Sequence, residues 1–197
     1  MSAKPFAPAC ERNRDPILAI LSRSLPVDSD ILEIGSGTGQ HAVHFAARQP
    51  GWRWQCSDRP ENLPGIRLWL EEAGLPNTPP PLALDVAAGP WPEHDFTAIF
   101  SANTLHIMAW KEVVALFSRL PLAAGGQLAI YGPFHYNGQA TSPSNAAFDA
   151  QLRRDAPHRG IRDFKDVAAQ ASTAGLRLVA DHAMPANNRL LIWKKES

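Results

Sequence analysis

Apolar residues recur at helical spacing in "RDPILAILSRSL", where Ile17, Leu18, Ile20, Leu21 and Leu25 form one stripe; Asp15 is placed to cap this N-terminal helix and Pro16 to occupy its first turn. "SDILEIG" then predicts a buried strand, and after a glycine-rich turn "QHAVHFAARQ" predicts a second helix. The alternation continues. "WRWQCSD" reads as a short strand, "LPGIRLWLEEAG" as a helix stopped by Gly74, and "PLALDV" as a third strand. "FTAIFSAN" is a continuous apolar run of the kind buried on both faces of a parallel sheet, followed by a helix in "AWKEVVALFSRL" and a fifth strand in "GGQLAIYGPF". Two helical stretches, "SNAAFDAQLRRD" and "DFKDVAAQASTAG", precede the strands "LRLVADHAMP" and "NNRLLIWKK". These last two lie too close for a helical crossover, so they pair as an antiparallel hairpin, with Asn187 and Asn188 as turn residues. The pattern predicts an open α/β fold: a mostly parallel seven-stranded sheet, helices on both faces, and a C-terminal antiparallel hairpin. The 18 prolines fall between periodic segments rather than in one linker, so a single domain is expected over residues 1–197.

Composition narrows the partners. Nineteen Lys and Arg balance nineteen Asp and Glu, leaving no net field to attract a polyanion or a membrane surface, and nucleic acid is not an expected partner. A local basic patch in "QLRRDAPHRGIRDFK" is compatible with that balance, although such clusters are more often solvated helix faces. Two cysteines, Cys10 and Cys56, are too few and too scattered for a disulfide framework or a zinc cage. "MSAKPFAPACERNRDP" has no apolar core of signal-peptide length and no stretch reaches the length of a membrane span, so a soluble, cytoplasmic protein is expected.

The candidate chemistry begins at "ILEIGSGTGQ", where Gly35, Gly37 and Gly39 let the backbone turn tightly and approach a ligand. In open α/β sheets ligands sit outside the carboxyl ends of the strands, where strand order reverses, which places this loop at the site. A dinucleotide fingerprint starting at Gly35 needs glycine where Gln40 stands, and a phosphate-binding P-loop needs a lysine that the loop lacks. Nicotinamide, flavin and ATP are thereby disfavoured. His41 and His44 lie on the following helix without a third ligand in an evident motif, so no metal is expected.

The pattern made by Glu33, Gly35, Gly37 and Gly39 resembles motif I of the class I S-adenosylmethionine-dependent methyltransferases, which have a Rossmann-like fold. The resemblance implies S-adenosyl-L-methionine as cofactor, held by Glu33, Gly35, Ser36, Gly37, Thr38 and Gly39. It asks for an acid ending the second strand to bind the ribose hydroxyls, and Asp58 stands there; it asks for a polar residue ending the third strand to meet the adenine, and Asp85 stands there beside Val86. In "SANTLHIMAW", Asn103 falls beside the methionine part of the cofactor and His106 is the candidate general base, its alternative being a structural histidine packed beneath the cofactor. "NTLH" departs from the N-P-P-Y type motif of amino-methylating nucleic-acid enzymes.

Candidate acceptor residues come from three places. Asn13 lies before the apolar stripe of the first helix, in a segment that class I enzymes often fold over the cofactor. "IYGPFHYNG" offers His135 and Tyr136, with Tyr131, on a loop over the pocket, and Asn145 shares a helix face with Asp149 and Arg153. "FAPACERNRDPIL", "SANTLHIMAW", "TSPSNAAFDAQLRRDAPHRGIRD" and "MPANNRLLIW", together with the glycine loop, "LDV" and "YGPFHYNG", resemble the methyltransferase-like protein 26 family over nearly the entire chain. That resemblance names no acceptor. The expected function is methyl transfer to a small molecule; the alternatives are a protein or RNA methyltransferase working with a partner, or a non-catalytic S-adenosylmethionine-binding scaffold.

Overall fold

A computed structural model of the chain describes residues 4–196. The first three residues of the N-terminal segment scanned for a signal sequence lie outside the described residues, as does Ser197. Sixteen elements follow in chain order: α1 (Pro8–Ser24), β1 (Asp30–Ile34), α2 (Gln40–Arg48), β2 (Arg53–Asp58), α3 (Leu63–Ala73), β3 (Leu82–Ala83), β4 (Phe96–Ala102), α4 (Trp110–Ser118), β5 (Leu122–Gly132), β6 (Phe134–Tyr136), β7 (Gln139–Ala140), α5 (Pro143–Asp155), β8 (Arg162–Asp163), α6 (Phe164–Thr173), β9 (Leu176–Met184) and β10 (Asn188–Lys195). Seven strands form one sheet in the order β3-β2-β1-β4-β5-β10-β9. The first five are parallel, and β10 runs antiparallel to both β5 and β9. The expected sheet and its closing hairpin are both present.

Side chains alternate across β1, and this alternation divides the core. Ile31 faces a cluster with Ile17 and Leu21 of α1, Phe45 of α2 and Ile66 of α3, where Phe45, Trp54 and Phe100 meet edge to face. Leu32 and Ile34 face the other cluster, built with Val113 and Phe117 of α4, Val167 and Ala171 of α6, and Trp193. Helices therefore cover both faces, and the strand sequences read as apolar runs for that reason.

Three elements differ from expectation. Helix α1 starts at Pro8, so Pro16 lies inside it and Asp15 does not cap it; the Asp15 carboxylate instead lies 2.7 Å from His44 Nε2 on α2. The inward face of α1 is Asn13, Ile17 and Leu21, and a buried asparagine at its first position is invisible to an apolar pattern. Strand β3 is only two residues long, because Asp85 turns the chain by accepting from the amides of Ala87 and Ala88 at 2.8 and 3.1 Å. The segment after β5, expected as a loop, forms a second small sheet in the order β7-β6-β8. Among the described residues no helix is long and apolar enough to cross a membrane.

Candidate functional site

Strand order reverses between β1 and β4, and a cleft of about 700 Å³ opens there at the carboxyl ends of β1, β2 and β4. Its floor is the glycine loop. Gly35 and Ser36 donate their amides to Ser57 O at 3.0 Å each, and Gly37 donates to Asp58 Oδ2 at 2.7 Å. The other carboxylate oxygen, Asp58 Oδ1, accepts from Arg59 N at 2.7 Å and Asn62 Nδ2 at 2.8 Å. The acid ending β2 is thus locked against the loop it faces.

Glycine is required at two of these positions for different reasons. A Cβ on Gly35, at φ +72°, would stand 2.4 Å from Thr104 Cγ2, whereas Gly37, at φ +61°, has open space around it. Gly35→Ala should therefore lower stability by about 2 kcal/mol, combining left-handed strain with a clash, and Gly37→Ala by about 1 kcal/mol from strain alone. Urea denaturation of the two variants checks this; equal losses would mean that the β4 loop does not press on Gly35.

Gly35, Gly37, Asp58, Val86 and Asn103 of the expected cofactor set line the cleft. Ser36, Thr38 and Gly39 build the loop beneath it: the Ser36 hydroxyl accepts from Ser57 N at 3.1 Å, Thr38 bonds Gln40 Oε1 at 2.9 Å, and Gly39 starts α2. Gln40 also ties in the N-terminal segment, through Ala7 N at 2.6 Å and Glu11 Oε1 at 2.8 Å.

The remaining candidates lie elsewhere. Glu33 is 1% exposed and lies one residue short of the end of β1, enclosed in the core, accepting from Trp54 Nε1 at 3.0 Å and lying 3.7 Å from His41 Nδ1. Asn13 Oδ1 meets His41 Nε2 at 2.7 Å, so it completes this buried network rather than lining the cleft. Asp85 serves its turn, and the amides of Ala87 and Ala88 hold its carboxyl below the ordinary range. His106 is buried under the ring of Phe148. His135 Nε2 is buried without a partner; Tyr136 donates to Asp181 Oδ2 at 2.8 Å and stacks on Phe164, with burial and Asp181 pushing its hydroxyl up to about 12. Asn145 bonds Thr141 Oγ1 and Asn187 O, fastening α5 to the hairpin turn. Glu33, Asn13, Asp85, Tyr136 and Asn145 each satisfy a polar neighbour within the fold, which the packed backbones place within reach.

The cleft also holds residues that pattern reading passed over. Arg59 and Asn62 follow Asp58 closely, and the run "SDRPEN" is a turn in which such contacts are readable from sequence. Thr104, Ile107 and Met108 lie on the β4 loop, and Lys111 and Glu112 in the first turn of α4. His158 and Arg159 arrive from the insertion between β5 and α6, which no local signal connects to the cleft. Arg162 fastens that insertion to the β4 loop: its guanidinium donates to the carbonyls of Leu105, Met108 and His158 and lies over the Trp110 ring.

Three buried histidines are shifted: burial, with Arg48 and Arg14 nearby, lowers His44, and the other two move in opposite directions. Burial, with Arg162 and Arg159 nearby, brings His106 down to about 4. Burial also opposes a charge on His41, but hydrogen bonding toward Cys10 and Glu33 outweighs it and carries His41 up to about 9. An unfolded imidazole titrates near 6.5. Below that value the unfolded chain binds a proton that native His106 refuses, so stability falls on acidification from about 6.5 to 4; above it the unfolded chain releases a proton that native His41 keeps, so stability falls as pH rises from about 6.5 to 9. Urea midpoints should peak near neutrality, and His106→Gln should shrink the acid limb, to which His44 also contributes, while sparing the alkaline limb.

Among the described residues no three His, Cys, Asp or Glu side chains converge as a metal site. A family model described as "Protein of unknown function (DUF938)" matches residues 4–195. The chain is similar to the S-adenosylmethionine-dependent methyltransferase SibL in its apo form, at 22% identity and TM-score 0.79 over 96% of this chain and 56% of that one. It is similar to an O-methyltransferase family protein from Burkholderia thailandensis, at 18% identity and TM-score 0.80 over 96% and 58%, and to CalO1, a methyltransferase in calicheamicin biosynthesis, in its SAH-bound form, at 16% and 0.74 over 93% and 54%. The fold is that of the class I methyltransferases, and the chain spans a little over half the length of these neighbours.

Proposed function

The chain belongs to the DUF938 family, and from that premise we propose that it is an S-adenosylmethionine-dependent methyltransferase with a small-molecule acceptor, its one catalytic domain running over residues 1–197. The observation that carries this reading is the cleft at the strand-order switch, where Gly35 and Gly37 bring backbone to the surface and Asp58 is fixed beside them. Its volume suits a cofactor of this size.

The residues present fit the group. A carboxylate offers about four acceptor sites, and Asp58 uses three on Gly37, Arg59 and Asn62, which leaves capacity for a ribose hydroxyl. Leu84, Val86, Ile107 and Met108 supply apolar walls for an adenine, and Asn103 and Thr104 face the cleft from the end of β4. Asn103 adopts φ +58°, a left-handed turn that bends the chain off the sheet there. When bound, the cofactor supplies a methyl group already activated by its sulfonium. The chain's own work is alignment and exclusion of water. A base role for His106 draws little support, since a buried imidazole near 4 has little proton affinity at neutral pH; we read it as packing that holds the β4 loop.

The resemblance to the methyltransferase-like protein 26 family is part of the same proposal, as is a cytoplasmic location, with Cys10 and Cys56 both free. One observation favours a macromolecular acceptor as the second reading: Ile107, Trp110 and Val114 are exposed apolar side chains on the β4 loop and α4. Titration calorimetry with S-adenosylmethionine and S-adenosylhomocysteine, against NAD and NADP, tests the cofactor. Micromolar binding of the first pair alone is expected, and absence of binding would reject the reading. Labelled-methyl transfer to the low-molecular-weight rather than the macromolecular fraction of an extract distinguishes the acceptors.

A further inference from the structure

The charged groups lining the cleft do not balance once their contacts are assigned. Asp58 accepts three N–H donors from its own surroundings. Glu112 accepts from Ala109 N at 2.7 Å and from Arg59 Nη2 at 2.9 Å. Lys111 and Arg159 remain, and among the described residues neither has a carboxylate partner or donates a side-chain hydrogen bond. Arg159 Nε is buried with no acceptor. A buried donor left unpaired on a charged group is costly, and such groups are rare unless a ligand or an ion completes them.

Arg159 is also held in place. Gly160 N donates to His106 O at 3.0 Å, and Arg162 grips the carbonyls of Leu105, Met108 and His158, so the insertion carrying Arg159 is pinned on the β4 loop that walls the cleft. A guanidinium presented this way matches a carboxylate, which accepts two parallel N–H bonds. We infer that Arg159 is a carboxylate-binding residue of the cleft. The inference rests on the methyltransferase reading in one respect: that reading offers two sources of the same chemistry, an acidic small-molecule acceptor and the carboxylate on the methionine part of the cofactor.

The test uses the full chain and the arginine Nε–H region of its ¹⁵N NMR spectrum, with Arg159→Lys identifying the resonance. Titrants are S-adenosylhomocysteine, 5′-methylthioadenosine (the nucleoside without the amino acid), and benzoate or succinate added to protein saturated with S-adenosylhomocysteine. A resonance moved by S-adenosylhomocysteine but not by methylthioadenosine, with Arg159→Gln weakening the first at least tenfold and sparing the second, assigns the cofactor carboxylate. A resonance moved by benzoate or succinate on the loaded protein, and lost affinity for them in Arg159→Gln, assigns an acidic acceptor. The inference is overturned if no titrant moves the resonance, or if Arg159→Gln weakens both nucleosides equally. A wild-type chain that binds neither nucleoside defeats the methyltransferase reading separately; benzoate and succinate on the unliganded chain then decide for or against Arg159.

Discussion

Asp58→Ala is expected to leave a folded protein whose affinity for S-adenosylhomocysteine is lower by about a hundredfold, roughly 3 kcal/mol, the scale of lost hydrogen bonding to a charged acceptor. Two effects add. In the proposed site the carboxylate has acceptor capacity left for a ribose hydroxyl, and it also fixes Gly37 N, Arg59 N and Asn62, so its removal loosens the loop that a bound cofactor would meet. Asp58→Asn, which retains one acceptor oxygen for Gly37, should lose less. Calorimetry on variants with native circular dichroism gives the comparison; unchanged affinity in a folded Asp58→Ala protein would remove Asp58 from the cofactor site.

Glu33→Ala is expected to act on the fold, destabilising it by about 3 kcal/mol, the range seen when one partner is removed from a buried charged pair. The lost groups are the acceptor of Trp54 Nε1 at 3.0 Å and the carboxylate 3.7 Å from His41 Nδ1. Without Glu33 the raised titration of His41 loses one of its supports, so the alkaline limb of the stability profile should shrink in the same variant. Glu33→Gln keeps an acceptor for Trp54 and should cost less. Stability comes from urea denaturation. The folded fraction should bind S-adenosylhomocysteine like the wild type, and a specific loss of affinity would return Glu33 to the cofactor set.

These two acids stand in the same motif-level resemblance, and only one of them reaches the cleft. The difference is depth along the strand. Glu33 pairs in register with Cys56, two residues short of Asp58 on the same sheet face, and is enclosed with Ile31 and Trp54, whereas Asp58 ends its strand at the cleft. A side-chain period of two is legible in a sequence; how far each strand end reaches toward the cleft is not. His106 shows the complementary limit. Its place after β4 was readable, but its burial depends on Phe148 from α5 and its depressed proton affinity on Arg162 and Arg159 from the insertion.

By itself the sequence determined the order and type of the long elements, the parallel sheet with its closing hairpin, the glycine loop and the acid that ends β2. Each of these rests on local physics: a repeat of apolar positions, a positive φ that favours glycine, or a residue at a strand end. The tertiary structure alone decided which polar side chains meet. Asn13 joins His41, Asn145 joins the hairpin turn, and Arg159 reaches the cleft, through contacts between segments far apart in the chain. A buried polar group takes the partner that the packed backbones place within reach, and that choice is made by packing after the elements exist.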